Sequence, residues 1–246
     1  MSERRADAAF ACLEAPAPRG LARLQAALVD RIKRAAIRLM HRSAAGECLI
    51  LRLGYIAEVS TERALQEDWT GQMPDWLIPL NERHLADEQR HAAAFAEALR
   101  QRGVTTVDAA APDPLSRRKI AQWRRLAHRY APRFEQGLLV PVYATGLCAE
   151  QMAMRVLARH CAVIGENHPL YPLLSRVLSD EAHHVRLCMQ VLQRLVTPGE
   201  SRQLAALLAK ARAIDASFGV TGALAMYLAV GFHWLHSGVR RAAAVT

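Results

Sequence analysis

Two copies of one pattern constrain this chain more than any other feature: Glu88-Gln-Arg-His91 and Glu181-Ala-His-His184, each a Glu-x-x-His, ninety-three positions apart. Their surroundings repeat as well. Leu85, Asp87, Glu88, His91 and Leu99 match Leu178, Asp180, Glu181, His184 and Leu192 in order. Upstream, Gly54-Tyr-Ile-Ala-Glu58 with Arg63 and Leu65 matches Gly146-Leu-Cys-Ala-Glu150 with Arg155 and Leu157, at an offset of ninety-two. Composition bias aligns alanines and leucines readily, but not Gly, Glu, Asp-Glu and His in register across two segments. The two halves read as one structural unit used twice.

Long Ala/Leu/Arg/Glu/Gln stretches, with only 6% aromatic residues, favour helix nearly everywhere, so the expected fold class is all-α. Turn signals at Gly71 to Pro74, Gly103 to Pro114, Gly165 to Pro169 and Pro198-Gly199 place helices near 21–42, 44–69, 75–102, 115–131, 136–165, 170–196, 200–216 and 220–237. Pro141 falls where it kinks or begins the fifth of these. Short links make 44–69 with 75–102, and 136–165 with 170–196, antiparallel hairpins. One long crossover, 103–135, joins them. That is the plan of a ferritin-like four-helix bundle with additional N- and C-terminal helices: a single helical domain over 21–246, core 44–102 and 136–196, behind a loose tail of residues 1–20.

Positions i and i+3 share a helix face, so each Glu-x-x-His pair addresses one point in the bundle core. With Glu58 and Glu150 from the first helix of each hairpin, the set is four carboxylates and two imidazoles, the ligands of di-iron and di-manganese carboxylate bundles. Four glutamates converging in an apolar interior repel and lose hydration unless cations neutralise them. Two divalent ions balance the charge. Oxygen-rich ligation with imidazole suits iron or manganese. Asp87 and Asp180 each precede a motif glutamate, where a carboxylate can accept the free ring N–H of a histidine from the opposite hairpin. Glu62, one turn after Glu58, is a rival or supplement to it, although its counterpart is Met154. Gly54 and Gly146 leave either a pocket beside the metals or close helix packing, and Tyr55 and Tyr143 fall near the same faces. Cys148, Cys188, His160 and His183 read as core or surface filler.

With these residues in view, the chain resembles the non-haem di-iron carboxylate proteins of the ferritin-like superfamily over about residues 44–196. The resemblance implies Glu58, Glu88, His91, Glu150, Glu181 and His184 as metal ligands, with Glu88 or Glu150 and Glu181 as candidates for bridging. Within the superfamily it is most similar to bacterial di-iron oxygenases of the p-aminobenzoate N-oxygenase type. Those carry a further histidine four residues before the second-half glutamate, where this sequence has Val177. Here the spacing occurs in the first half, as His84, Glu88 and His91, which makes His84 an additional ligand, an acid/base, or a histidine on the bundle rim. The implied function is an O2-dependent di-iron oxygenase with O2 as co-substrate, hydroxylating or N-oxygenating a small organic substrate in natural-product biosynthesis. Its partners would be a free or carrier-protein-tethered small molecule and an external electron donor, with a homodimer left open. The alternatives are a ferritin- or rubrerythrin-like iron oxidase or peroxidase, and a non-enzymatic binding module.

That last alternative rests on the net charge of +9, densest at Arg117, Arg118, Lys119, Arg124, Arg125, Arg129 and Arg133 around Trp123. Ile120, Trp123, Leu126 and Ala127 recur at helical spacing, so a solvated face of an amphipathic helix accounts for the arginines without nucleic acid. Five cysteines, odd in number and never in CxxC spacing, fit a reducing cytoplasm. Residues 216–239 carry no charge and are long enough to span hydrocarbon, but their two histidines, serines and four glycines point to a buried or partner-facing helix rather than a membrane anchor.

Overall fold

The computed structural model describes residues 10–67, 73–107, 112–217 and 219–243. Among them are eight α-helices: α1 Leu21–Met40, α2 Ala44–Glu67, α3 Ile78–Arg100, α4 Pro114–Tyr130, α5 Leu139–Ile164, α6 Tyr171–Leu195, α7 Ser201–Ser217 and α8 Gly219–Ala243. No strand occurs among the described residues, and the expected all-α class holds. Residues 1–9 of the expected tail and residues 68 and 69 of the expected second helix lie outside the described residues.

Local chemistry explains the helix ends. Asp113 caps α4 by accepting Leu115 N–H at 2.9 Å and Ser116 N–H at 3.1 Å, with Pro114 at the first helical position. Pro141 is the third residue of α5, where its missing N–H breaks no helical bond, so it begins the helix rather than kinking it. At the α6–α7 link, Thr197 and Glu200 form a capping box. Glu200 also accepts the Glu135 backbone N–H at 2.6 Å, tying the crossover to this link.

α2 packs on α3 and α5 on α6, and the two pairs meet where α3 touches α6. One apolar cluster joins α2, α3, α5 and α6 through Leu51, Phe95, Leu99, Leu157, Leu174 and Val177. A second joins α4, α5, α6 and α7 through Trp123, Tyr130, Leu147, Val191, Leu192, Leu204 and Leu208. Each fully buried side chain of this size contributes about 1.5–3 kcal/mol of transfer free energy. The polar site lies on the same helices as these clusters. Trp123 is buried in the α4–α7 contact with its indole N–H donated to Ala211 O at 3.0 Å, while Arg117, Arg118, Arg124, Arg125, Arg129 and Arg133 are exposed. α4 thus has the amphipathic character its spacing announced.

Two expectations need correction. Phe10 to Leu13 do not hang loose: Leu13 is fully buried, and Arg212 donates to Cys12 O and Leu13 O, both at 2.8 Å. The apolar residues at the end of the tail find a groove beside α7, and the arginine satisfies the carbonyls that would otherwise be stranded there. Of the two readings of the C-terminal helix, buried or partner-facing, the first does not hold. The helix packs on α1, and Ala223 and Val230 are covered, but Leu224, Tyr227, Leu228 and Phe232 are exposed. The run Pro198–Phe232 is long and apolar enough to cross a membrane by length and composition, and only 12% of its apolar window is buried.

Candidate metal centre

Each hairpin delivers its acidic and imidazole groups inward. Glu58 on α2, His84, Glu88 and His91 on α3, Glu150 on α5, and Glu181 and His184 on α6 are all buried. Helical geometry accounts for the grouping, since His84, Glu88 and His91 succeed one another at one turn and Glu181 and His184 at nearly one. The seven side chains fall into two groups, His84, Glu88, Glu150 and His184 in one and Glu58, Glu88, His91 and Glu181 in the other. Within each, one ligand atom per residue lies within 4.8 Å of every other. Glu88 belongs to both. Glu150 stands in the first group and Glu181 in the second.

The imidazoles are held from behind. His91 donates from Nε2 to Asp180 Oδ2 at 3.0 Å, and His184 from Nε2 to Asp87 Oδ2 at 3.3 Å, each across the hairpin boundary. Each bond fixes the orientation of the ring and turns its Nδ1 inward. His91 Nδ1 is 3.6 Å from Glu58 Oε2, and His184 Nδ1 is 3.1 Å from Glu88 Oε1. Arg90 spans the two aspartates from the surface, 2.5 Å from Asp87 Oδ1 and 3.5 Å from Asp180 Oδ2. Sequence reading overlooked Arg90. Its repeat counterpart is His183, which turns away to Ser179 O, so a single guanidinium serves both halves.

His84 is not a rim residue. It is 3% exposed, its Nε2 is 3.2 Å from Glu88 Oε1 and 3.4 Å from Glu150 Oε1, and its ring lies 4.0 Å from that of His184. Val177, four residues before Glu181, is sealed in the apolar cluster. The third imidazole of the site, His84, comes from α3.

Charge crowding shows in the proton affinities. Burial, followed by the Glu88, Glu181 and Glu150 carboxylates, pushes Glu58 well above the usual range. Burial and the Glu150 and Glu88 carboxylates likewise push Glu181 up to about 9, against the opposing influence of the His184 imidazole 3.8 Å away. Burial alone would lower His184, yet Glu181, Glu88 and Glu150 raise it to about 11. His84 shifts upward for the same reason, Glu150 and Glu88 outweighing burial. Glu88 goes the other way: burial would raise it, but the His184 and His84 rings, 3.1 and 3.2 Å from its Oε1, outweigh that and lower it. Protons thus offset part of the negative charge of the four carboxylates.

The donor set fits divalent cations. His84 Nδ1 and Nε2, Glu88 Oε1, His91 Nδ1, Glu181 Oε2 and His184 Nδ1 are buried without a hydrogen-bond partner. Orphaned polar atoms in one interior spot are costly unless something else satisfies them. These buried His/Glu groups can hold metal ions.

The remaining predicted residues divide. Glu62 accepts from Gln89 Nε2 at 3.0 Å and joins neither group. Tyr55 packs against the Leu51–Phe95 cluster. Tyr143 is buried, donates to Asn81 Oδ1 at 3.4 Å, and has its hydroxyl pKa raised by burial. Gly54 and Gly146, equivalent in the repeat, differ. A Cβ at 54 would meet Phe95 Cε1 at 2.7 Å, so this glycine permits close packing, whereas a Cβ at 146 would meet nothing within 4 Å.

No protein-family model, no curated protein and no solved structure matches the chain.

Proposed function

We propose that this chain is an O2-dependent di-iron oxygenase built on a ferritin-like four-helix bundle, α2, α3, α5 and α6, with α1, α4, α7 and α8 as additions. The observation that carries the reading is the pair of buried donor groups sharing Glu88, with histidine Nδ1 atoms left without a hydrogen-bond partner between them. One ion would be held by Glu58, His91, Glu88 and Glu181, the other by His84, His184, Glu150 and Glu88. Carboxylate-rich ligation with imidazole and no thiolate suits iron, with manganese the nearest competitor. When bound, an iron pair supplies the electrons that reduce dioxygen, which oxidises a small organic molecule such as an aryl amine, an external donor restoring the reduced state.

The chain's own residues supply the rest. Asp87 and Asp180, clamped by Arg90, hold the imidazoles at fixed tautomer and orientation. Glu181, whose pKa stands near 9 without cations, is placed to take up or give back a proton at its Oε2 as the charge in the site changes. Phe95, Val177 and Leu147, on the same helices, are themselves buried. Open space at Gly146, one turn before Glu150, supports substrate access from the α5 side.

The test is anaerobic loading with ferrous iron followed by O2 consumption with and without aryl amines. The proposal predicts uptake coupled to an oxygenated product and lost in Glu88→Ala. Ferrous oxidation without any organic product would instead favour an iron oxidase. Absence of iron uptake beside strongly salt-dependent polynucleotide binding would favour a binding module.

A further inference from the structure

A second polar cluster lies at the other end of α2. Glu47, in the first turn of α2, is eleven residues before Glu58, about 16 Å along the helix axis. Around it stand His41, which follows the last residue of α1, and His168, in the turn between α5 and α6. His168 Nε2 is 3.1 Å from Glu47 Oε1, and His41 Nδ1 is 3.9 Å from the same oxygen. One ligand atom from each of the three lies within 4.8 Å of the others. The His41 and His168 rings are 5.1 Å apart and nearly perpendicular, at 77°.

Three features separate this arrangement from an ordinary ion-pair network. His41 has a side chain 7% exposed, and its Nδ1 is buried with no hydrogen-bond partner, facing Glu47 and His168. Its other nitrogen, Nε2, is 3.2 Å from Nδ1 of His160, itself buried. An Nε2–H donated to His160 leaves the Nδ1 lone pair free to coordinate, the support that metal-binding histidines ordinarily have. Finally, Arg102 holds Glu47 Oε2 at 3.0 Å, orienting the carboxylate while Oε1 stays turned to the histidines. Burial is the largest influence on His41 and lowers it to about 4 against the opposing Glu47 carboxylate, which keeps it in the neutral form a cation needs.

We propose that His41, Glu47 and His168 form a mononuclear site for a zinc-type divalent cation, independent of the Glu/His centre. Two imidazoles and one carboxylate are a zinc donor set, which water would complete, and Glu47 and His168 are part-exposed. Binding shifts the His168 ring proton from Nε2 to Nδ1 and gives up the 3.2 Å contact from Leu170 N–H, while the Tyr171 N–H to His168 O bond at 2.9 Å persists. The cation joins the α1–α2 corner to the α5–α6 turn, more than a hundred residues away, so it acts as a clip on an added helix.

Equilibrium dialysis against zinc, with metal analysis of the purified full chain, tests this. His168→Ala and the isosteric Glu47→Gln are each expected to bind one equivalent fewer than the parent, with helical circular dichroism unchanged. The same one-equivalent difference is expected when His168→Ala is made in a Glu88→Ala background, so a failure of the di-metal reading alters the total and leaves the difference intact. Parent-level zinc binding in both His168→Ala and Glu47→Gln overturns the site. His168, in a surface turn, can be truncated without opening a core void; should Glu47→Gln unfold, His168→Ala alone decides.

Discussion

Replacing glycine by alanine at two positions related by the internal repeat should move stability in opposite directions. In a helix interior the change contributes about 0.8–1.0 kcal/mol through backbone propensity alone. At Gly146 an added methyl meets nothing within 4 Å, so Gly146→Ala should keep that gain. At Gly54 the methyl would stand 2.7 Å from Phe95 Cε1 and 2.8 Å from Cζ, and Phe95 is 1% exposed, with no room to give way. Overpacking of this kind costs about 1–3 kcal/mol. Gly54→Ala should therefore be destabilised by up to about 2 kcal/mol net, and the gap between the two variants, about 1–3 kcal/mol, isolates the packing contribution. For a chain of this length each kcal/mol moves the melting temperature by about 2–4 °C. Calorimetric melting of both metal-free variants reads the effect. Equal melting temperatures would refute the claim that Gly54 is there to let α2 approach Phe95.

Three further outcomes are expected. Glu181 and His184, with pKa values near 9 and 11 without cations, carry protons at pH 7 that divalent ions must displace. Affinity should thus rise with pH below 9, by about 100-fold per unit if two protons leave; calorimetry in buffers of different ionisation enthalpy counts them, and a buffer-independent heat contradicts the assignment. Asp180→Ala and Asp87→Ala, which strip His91 and His184 of their acceptors, should each weaken metal binding by about 10–100-fold, while the exposed Asp75→Ala leaves it unchanged. Arg212→Ala, losing its bonds to Cys12 O and Leu13 O, should cost about 1–3 kcal/mol and open the N-terminal segment to protease; unchanged cleavage rates there would show that Arg212 does not anchor it.

The parts of the site legible in the sequence are those fixed by helical periodicity. Glu88 with His91, Glu181 with His184, and His84 one turn before Glu88 share faces by spacing alone, and the repeat supplied Glu58 over Glu62. The Asp87 and Asp180 reach across hairpins was legible too, because the pattern places each next to a motif glutamate. What could not be read depends on neighbours distant in the chain. Nothing local distinguishes Gly54 from Gly146 until Phe95 is packed against one of them. His41 and Glu47 come from the α1–α2 corner and His168 from the α5–α6 turn, and they have no common period. Leu13 looks like part of a Pro-rich tail until Arg212 meets its carbonyl. The exposure of Leu228 and Phe232 was hidden for the same reason: apolar content says how long a helix is able to stay dry, not whether a neighbour covers it.

The central claim, that seven buried side chains on α2, α3, α5 and α6 form one two-cation centre, is tested most directly by anaerobic ferrous titration with iron analysis of the parent and of Glu88→Ala. The account predicts about two ferrous ions per parent chain, and a loss in the variant that affects both, since Glu88 belongs to both donor groups. Parent protein that takes up no iron, or a Glu88→Ala variant that folds and binds as much as the parent, would contradict it.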